Sequence, residues 1–144
     1  MSRRILVPVD ESERATDALE FALEEHPGAT IVAIHVLDPA DFYGATGFEG
    51  GAMINYDEIH RQNEERGEAL LENAADRADE HGLECETELV IGSVARSIVD
   101  YAETNPIDQI VIGSHGRTGA SRILLGSVAE TVARRSPVPV TIVR

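Results

Sequence analysis

The residues best suited to chemistry lie in one loop. Gly113-Ser114-His115-Gly116-Arg117-Thr118-Gly119-Ala120-Ser121-Arg122 is followed, after Ile123-Leu124-Leu125, by Gly126-Ser127 at the head of a helical pattern. Three glycines within seven residues let the main chain approach a ligand closely and take positive φ, so that successive amides can face one anion. Gly126 and Ser127 then set a helix N-terminus beside the loop, where unpaired N–H groups and the helix dipole favour negative charge. Ser114, Thr118, Ser121 and Ser127 add hydroxyls, and Arg117 and Arg122 add positive charge. The pattern predicts a phosphate site made of amides and hydroxyls.

The charge map points the same way. Residues 1–108 carry 7 Arg and 25 acids, whereas residues 109–144 carry 5 Arg and a single acid, within a chain of formal net charge −14. Such a surface repels nucleic-acid backbones, and with 4% aromatic residues and no Trp there is little with which to stack bases. No nucleic-acid partner is expected. Every basic residue is Arg, which excludes lysine chemistry and the Lys of a Walker P-loop. No Gly-x-Gly-x-x-Gly follows the first strand, and neither Gly-x-Ser-x-Gly nor His-Glu-x-x-His occurs. The lone Cys85 allows no intramolecular disulfide, no apolar run reaches the length of a membrane span, and the start of the chain lacks a signal-peptide core. A cytoplasmic protein is expected. The lysine-free acidic surface suits a salt-loving organism, because salt screens its self-repulsion.

Nine elements must position the loop. Ile5-Leu6-Val7-Pro8-Val9, closed by Asp10, is a short buried strand. Ala15, Ala18, Leu19, Ala22 and Leu23 recur at helical spacing up to Pro27-Gly28. A second buried strand covers Thr30–Leu37 and stops at Asp38-Pro39. A long helix follows over about 55–81, with a bend or break expected at Gly67. Glu84–Ile91 alternates as an edge strand does, and then come a helix over 93–103, a strand over 107–113, a helix over Ser127–Arg135 and a last strand over 138–143. Alternation of this kind gives an α/β, doubly wound parallel sheet, read as a single domain over 1–144. Residues 38–53 read as a lid or as an insertion without a role.

Gly113-x-x-Gly116, nine residues, then Gly126-Ser127 resembles the nucleotide-binding signature of the universal stress protein family, in its ATP-binding branch. Val7-Pro8-Val9-Asp10, His35-Val36 and the closing Pro137-Val138-Pro139-Val140 are similar to that family too. The resemblance implies a three-layer α/β/α, Rossmann-like, adenine-nucleotide-hydrolase-like fold with sheet order 3-2-1-4-5. It also implies ATP as ligand, often with Mg2+ or Mn2+, and a homodimer through the last strand. Carried over by position, Asp10, beside Pro8 and Val9, would contact ribose, and Val36 would lie against adenine. Gly113, Gly116, Arg117, Gly126 and Ser127 would surround the phosphates, flanked by Ile112 and Val128.

Plainer roles compete. Asp10-Glu11-Ser12-Glu13 and Ser127-Val128-Ala129-Glu130 both read as capping boxes. His35 reads as a satisfied interior histidine and His115 as a loop filler bonded to a carbonyl. Pro139 belongs at a sheet edge, which leaves the last strand open to antiparallel pairing with a second copy. The leading expectation is a stress-response protein working through nucleotide-dependent conformation or partner binding. A nucleotide-independent dimeric scaffold and a slow adenylate or ATP hydrolase are the alternatives, and no group in the loop stands out to orient an attacking water.

Overall fold

The computed structural model describes residues 2–40, 52–115 and 125–144, with side chains omitted for 52–56. The expected strands and helices are present. They are β1 (Arg4–Pro8), α1 (Glu13–Glu25), β2 (Thr30–Leu37), α2 (Ala52–Glu80), β3 (Glu84–Ile91), α3 (Val94–Thr104), β4 (Gln109–Gly113), α4 (Ser127–Arg135) and β5 (Val140–Val143). The five strands form one parallel sheet of order β3-β2-β1-β4-β5, as the family resemblance implied. Residues 41–51 of the segment read as a lid or an insertion, and residues 116–124 of the loop, Gly116 and Arg117 included, lie outside the described residues.

Strand periodicity sorts the core into two layers. Ile5, Val7, Ile31 and Ala33 pack under α1 and α2 against Ala18, Leu19, Ala22, Leu71 and Ala74. Leu6, Val32, Ile34, Ile110 and Ile112 pack under α3 and α4 against Ile98, Ala102 and Val132. With helices on both faces, all of β2 is buried, which explains its unbroken apolar run. Both β3 and β5 are edges.

Several boundaries shift. The last strand starts at Val140, so Pro139 precedes it; there its carbonyl still accepts from Ile110 N (2.9 Å), and its missing N–H costs the ladder nothing. β4 begins at Gln109, two residues later than expected. No break occurs at Gly67: α2 runs continuously through it. A Cβ at Gly67 would sit 2.7 Å from His35 Cδ2 and 3.0 Å from Leu89 Cδ1. The glycine lets α2 lie close on the sheet.

Candidate functional site

The strand order reverses direction between β1 and β4, and a cleft of about 260 Å3 opens there beyond their carboxyl ends. Pro8, Asp10, Ile112 and Gly113 come from the strand ends; Ser12, Val94, Ser127, Val128 and Ala129 come from the starts of three helices, with Ala15, Ile98 and His115 completing the wall. The starts of α1, α3 and α4 therefore converge on one space. Each contributes the positive end of a helix dipole, which makes the cleft hospitable to an anion in a molecule of net charge −14.

Local chemistry sets how much of that potential is already engaged. At α1, Ser12 is the N-cap, its Oγ accepting from Ala15 N (3.1 Å), while Asp10 Oδ1 accepts from Ser12 N (2.7 Å). Asp10 thus holds the turn ahead of the helix; the cap belongs to Ser12, since that residue already has extended backbone angles when the helix begins. At α4 the N-cap is Gly126, which has no side chain, and Ser127 is the first helical residue. The expected capping box at Ser127 is therefore not formed. The first main-chain bond of α4 runs from Glu130 N to Gly126 O (3.0 Å), so the amides of Ser127, Val128 and Ala129 have no partner within the helix. Ser93 caps α3 without a side-chain bond.

The two signature glycines within the described residues prove to be needed by the chain itself. A Cβ on Gly113 would lie 2.7 Å from both the carbonyl carbon and oxygen of Arg14, because α1 crosses the end of β4 there. Among the described residues, positive φ occurs at Gly28, Gly82 and Gly92, so Gly113 does not have the positive φ expected of it. A Cβ on Gly126 would lie 2.8 Å from Ser114 O, the same oxygen that accepts from Gly126 N (2.8 Å).

Of the sequence-predicted site residues, Pro8, Asp10, Ile112, Gly113, Ser127 and Val128 meet on the cleft wall, and Gly116 and Arg117 fall outside the described residues. Val9, Val36 and Gly126 do not line it. Val9 packs on the α1/α2 side of the sheet and edges a separate cavity of about 230 Å3. Val36 is buried in the opposite layer, in the same cluster as Ile98 and Ile112. Gly126 stands behind Ser127, its N–H bonded to Ser114. Sequence reasoning had left out Ser12, Ala15, Val94, Ile98, His115 and Ala129. The switch-point rule that singled out strand ends also implies the first turns of the following helices, and Ser12, Val94 and Ala129 follow from it. His35 is the interior histidine expected, donating from Nδ1 to Val9 O (2.7 Å).

Comparisons with known proteins agree with this geometry. The universal stress protein family model matches residues 1–144. Universal stress protein MJ0531 of Methanocaldococcus jannaschii is 35% identical over 144 residues, which cover 99% of this chain and 82% of that protein. The solved structure of MJ0577 from the same organism has a TM-score of 0.85 at 30% identity, covering 99% of this chain and 96% of its own. A universal stress protein solved in complex with cAMP has a TM-score of 0.69 at 27% identity, covering 99% and 97%.

Proposed function

The chain belongs to the universal stress protein family, and on that premise we propose that it is an adenine-nucleotide-binding protein whose ligand is ATP, held in the cleft between β1 and β4. The observation that carries the proposal is the start of α4, which has no side-chain cap: Ser127, Val128 and Ala129 line a cleft whose other walls combine the apolar Pro8, Val94, Ile98 and Ile112 with Asp10, Ser12 and His115. Phosphates would take the amides, Asp10 the ribose hydroxyls, and Pro8, Ile98, Ile112 and Val94 the side of the base. A relative of 27% identity solved with cAMP supports the adenine-nucleotide class. Among the described residues no group of three His, Cys, Asp or Glu could hold a metal ion. Mg2+ or Mn2+ would offset the charge of the phosphates.

In this reading the protein works in the cytoplasm as a stress-response regulator, through the conformation that nucleotide imposes or the partner it then recruits. It acts as a homodimer joined by antiparallel pairing of β5, an edge strand. Light scattering at micromolar concentration in high salt is expected to give twice the chain mass of 15.6 kDa. Equilibrium dialysis with labelled ATP, with and without Mg2+, tests the ligand: saturable retention of one nucleotide per chain is expected, and none would overturn the proposal. One observation favours a scaffold that needs no nucleotide. Both Gly113 and Gly126 are required by internal packing. Dialysis separates the two readings.

A further inference from the structure

His35 is a buried, titratable side chain that the cleft does not use. Its Nδ1–H donates to Val9 O at 2.7 Å, and Val9 N donates to Ile34 O at 2.8 Å. Both polar main-chain atoms of Val9 are therefore tied to β2. The Val9 carbonyl belongs to the peptide that links Val9 to Asp10, so the imidazole fixes the plane from which Asp10 departs. Asp10 then accepts from Ser12 N at 2.7 Å and lines the cleft.

On its other side the ring is confined by α2. A Cβ on Gly67 would stand 2.7 Å from His35 Cδ2 and 3.4 Å from Nε2, closer than packed side-chain carbons approach. The imidazole is thus clamped between the helix main chain and the Val9 carbonyl. An interior site of this kind is ordinarily filled by an aliphatic side chain; here a donor is placed against the one carbonyl that precedes the ribose-facing carboxylate.

We propose that His35 is a positioning residue for Asp10, and that α2, through the gap left by Gly67, bears on nucleotide binding by way of the His35 ring. The proposal rests on the reading that Asp10 contacts nucleotide. It makes the long helix, none of whose described side chains lines the cleft, part of the binding apparatus.

The test is a cycle of variants titrated calorimetrically with ATP. His35→Phe keeps a ring and removes the donor, and should weaken ATP binding about tenfold, the worth of one lost buried hydrogen bond. His35→Asn, whose amide nitrogen can take the place of Nδ1, should stay within about threefold of the parent. In an Asp10→Ala background His35→Phe should change affinity by less than about twofold, because its effect passes through Asp10. Undiminished affinity in His35→Phe, or the same tenfold loss with and without Asp10, overturns the proposal. A histidine with a purely packing role would lower the melting temperature and leave affinity alone.

A second readout needs no nucleotide. Hydrogen exchange at the Ser12 amide, which Asp10 holds, should quicken in His35→Phe and in Gly67→Ala, relative to the Leu23 amide farther along α1. Unchanged exchange at Ser12 in both variants overturns the proposal even if the parent binds ATP. If the parent fails to bind ATP while Ser12 exchange quickens, the nucleotide reading fails and the positioning of Asp10 by His35 stands.

Discussion

At the amino end of the sheet Arg4 donates from Nε to Pro106 O (2.7 Å) and from its two terminal nitrogens to the Glu86 carboxylate (2.6 and 2.9 Å), while Arg4 N donates to Asp108 Oδ2 (2.8 Å). At the carboxyl end, α3 and α4 begin without a side-chain cap, and Asp10, on the wall of the same cleft, is turned to its own loop. The same five strands thus have one end where polar side chains answer main-chain and side-chain partners and one end where, among the described residues, two helix starts on a cleft carry no side-chain cap. Buried or half-buried polar groups left unanswered destabilise a fold, so their concentration at one end indicates what that end is for. The difference teaches where to look: the closed end holds the chain together, and the open end awaits an acceptor.

The sharpest way to break the comparison is to answer the open donors with a side chain. Ser127→Asp places a carboxylate at the first position of α4, where it should stabilise the helix by about 0.5 kcal/mol through the dipole. The same charge about 4 Å from a phosphate is worth about 4 kcal/mol of repulsion at a half-exposed site, so ATP affinity should fall at least about a hundredfold. Stability and binding are expected to move in opposite directions, read by thermal melting and calorimetry on one sample. A variant that binds as the parent does would show that α4 is not the phosphate end.

Next in size is Gly113→Ala. Its new Cβ would meet the main chain of Arg14 at 2.7 Å, and two backbone segments cannot part as a flexible side chain could. A loss of about 1–3 kcal/mol is expected in urea denaturation. Were Gly113 a glycine solely for a ligand's sake, the variant would unfold as the parent does and lose ATP alone.

How far the sequence reached follows the same division. A parallel sheet with helices on both faces was open to view because apolar strand runs and period-3.6 helices are local patterns, while the sheet order came from the family resemblance. Strand ends pointed to the cleft for a topological reason. Position along the sheet was not legible: Val36 shares the apolar signature of Ile112, yet Ile112 lines the cleft beside β1 and Val36, on β2, does not. Nor was the purpose of Gly67. Sequence shows its cost in helix propensity, about 1 kcal/mol, while the compensating partner, His35, stands 32 residues away and meets it only in the folded chain. Capping failed at Ser127 for a similar reason, since the bond from Gly126 N to Ser114 O starts the helix one residue earlier than the Ser-x-x-Glu pattern suggests.

Salt sharpens the comparison at a smaller scale. Residues 1–108 carry a formal −18 against +4 for the remainder, and this acidic excess strains the closed end and the helices around it. Raising KCl from about 0.1 M to about 1 M shortens the screening length from about 10 Å to about 3 Å. The melting temperature should climb by about 3 °C or more, corresponding to about 1 kcal/mol for a domain of this size. A melting temperature indifferent to KCl would remove the case for a salt-adapted surface.

The smallest effect tests the closed end directly. The hydrogen bonds from Arg4 hold the Glu86 carboxyl below its usual 4.5, against a small opposing effect of burial. A carboxyl with a lowered folded pKa adds stability above its unfolded value, and that stability disappears as pH falls through the folded one. Glu86 is half exposed, so Glu86→Gln should cost no more than about 1 kcal/mol at pH 7. The deficit should shrink as pH falls below 4.5 and vanish once pH has passed below the lowered folded value, where the parent's carboxyl is itself protonated. ATP affinity should not change, because none of the residues bonded to Arg4 lines the cleft. A deficit that stays constant as the Glu86 carboxyl is titrated with acid would mean that Glu86 contributes by packing and not by charge, and a loss of ATP binding would mean that the two ends of the sheet are coupled through β1 itself.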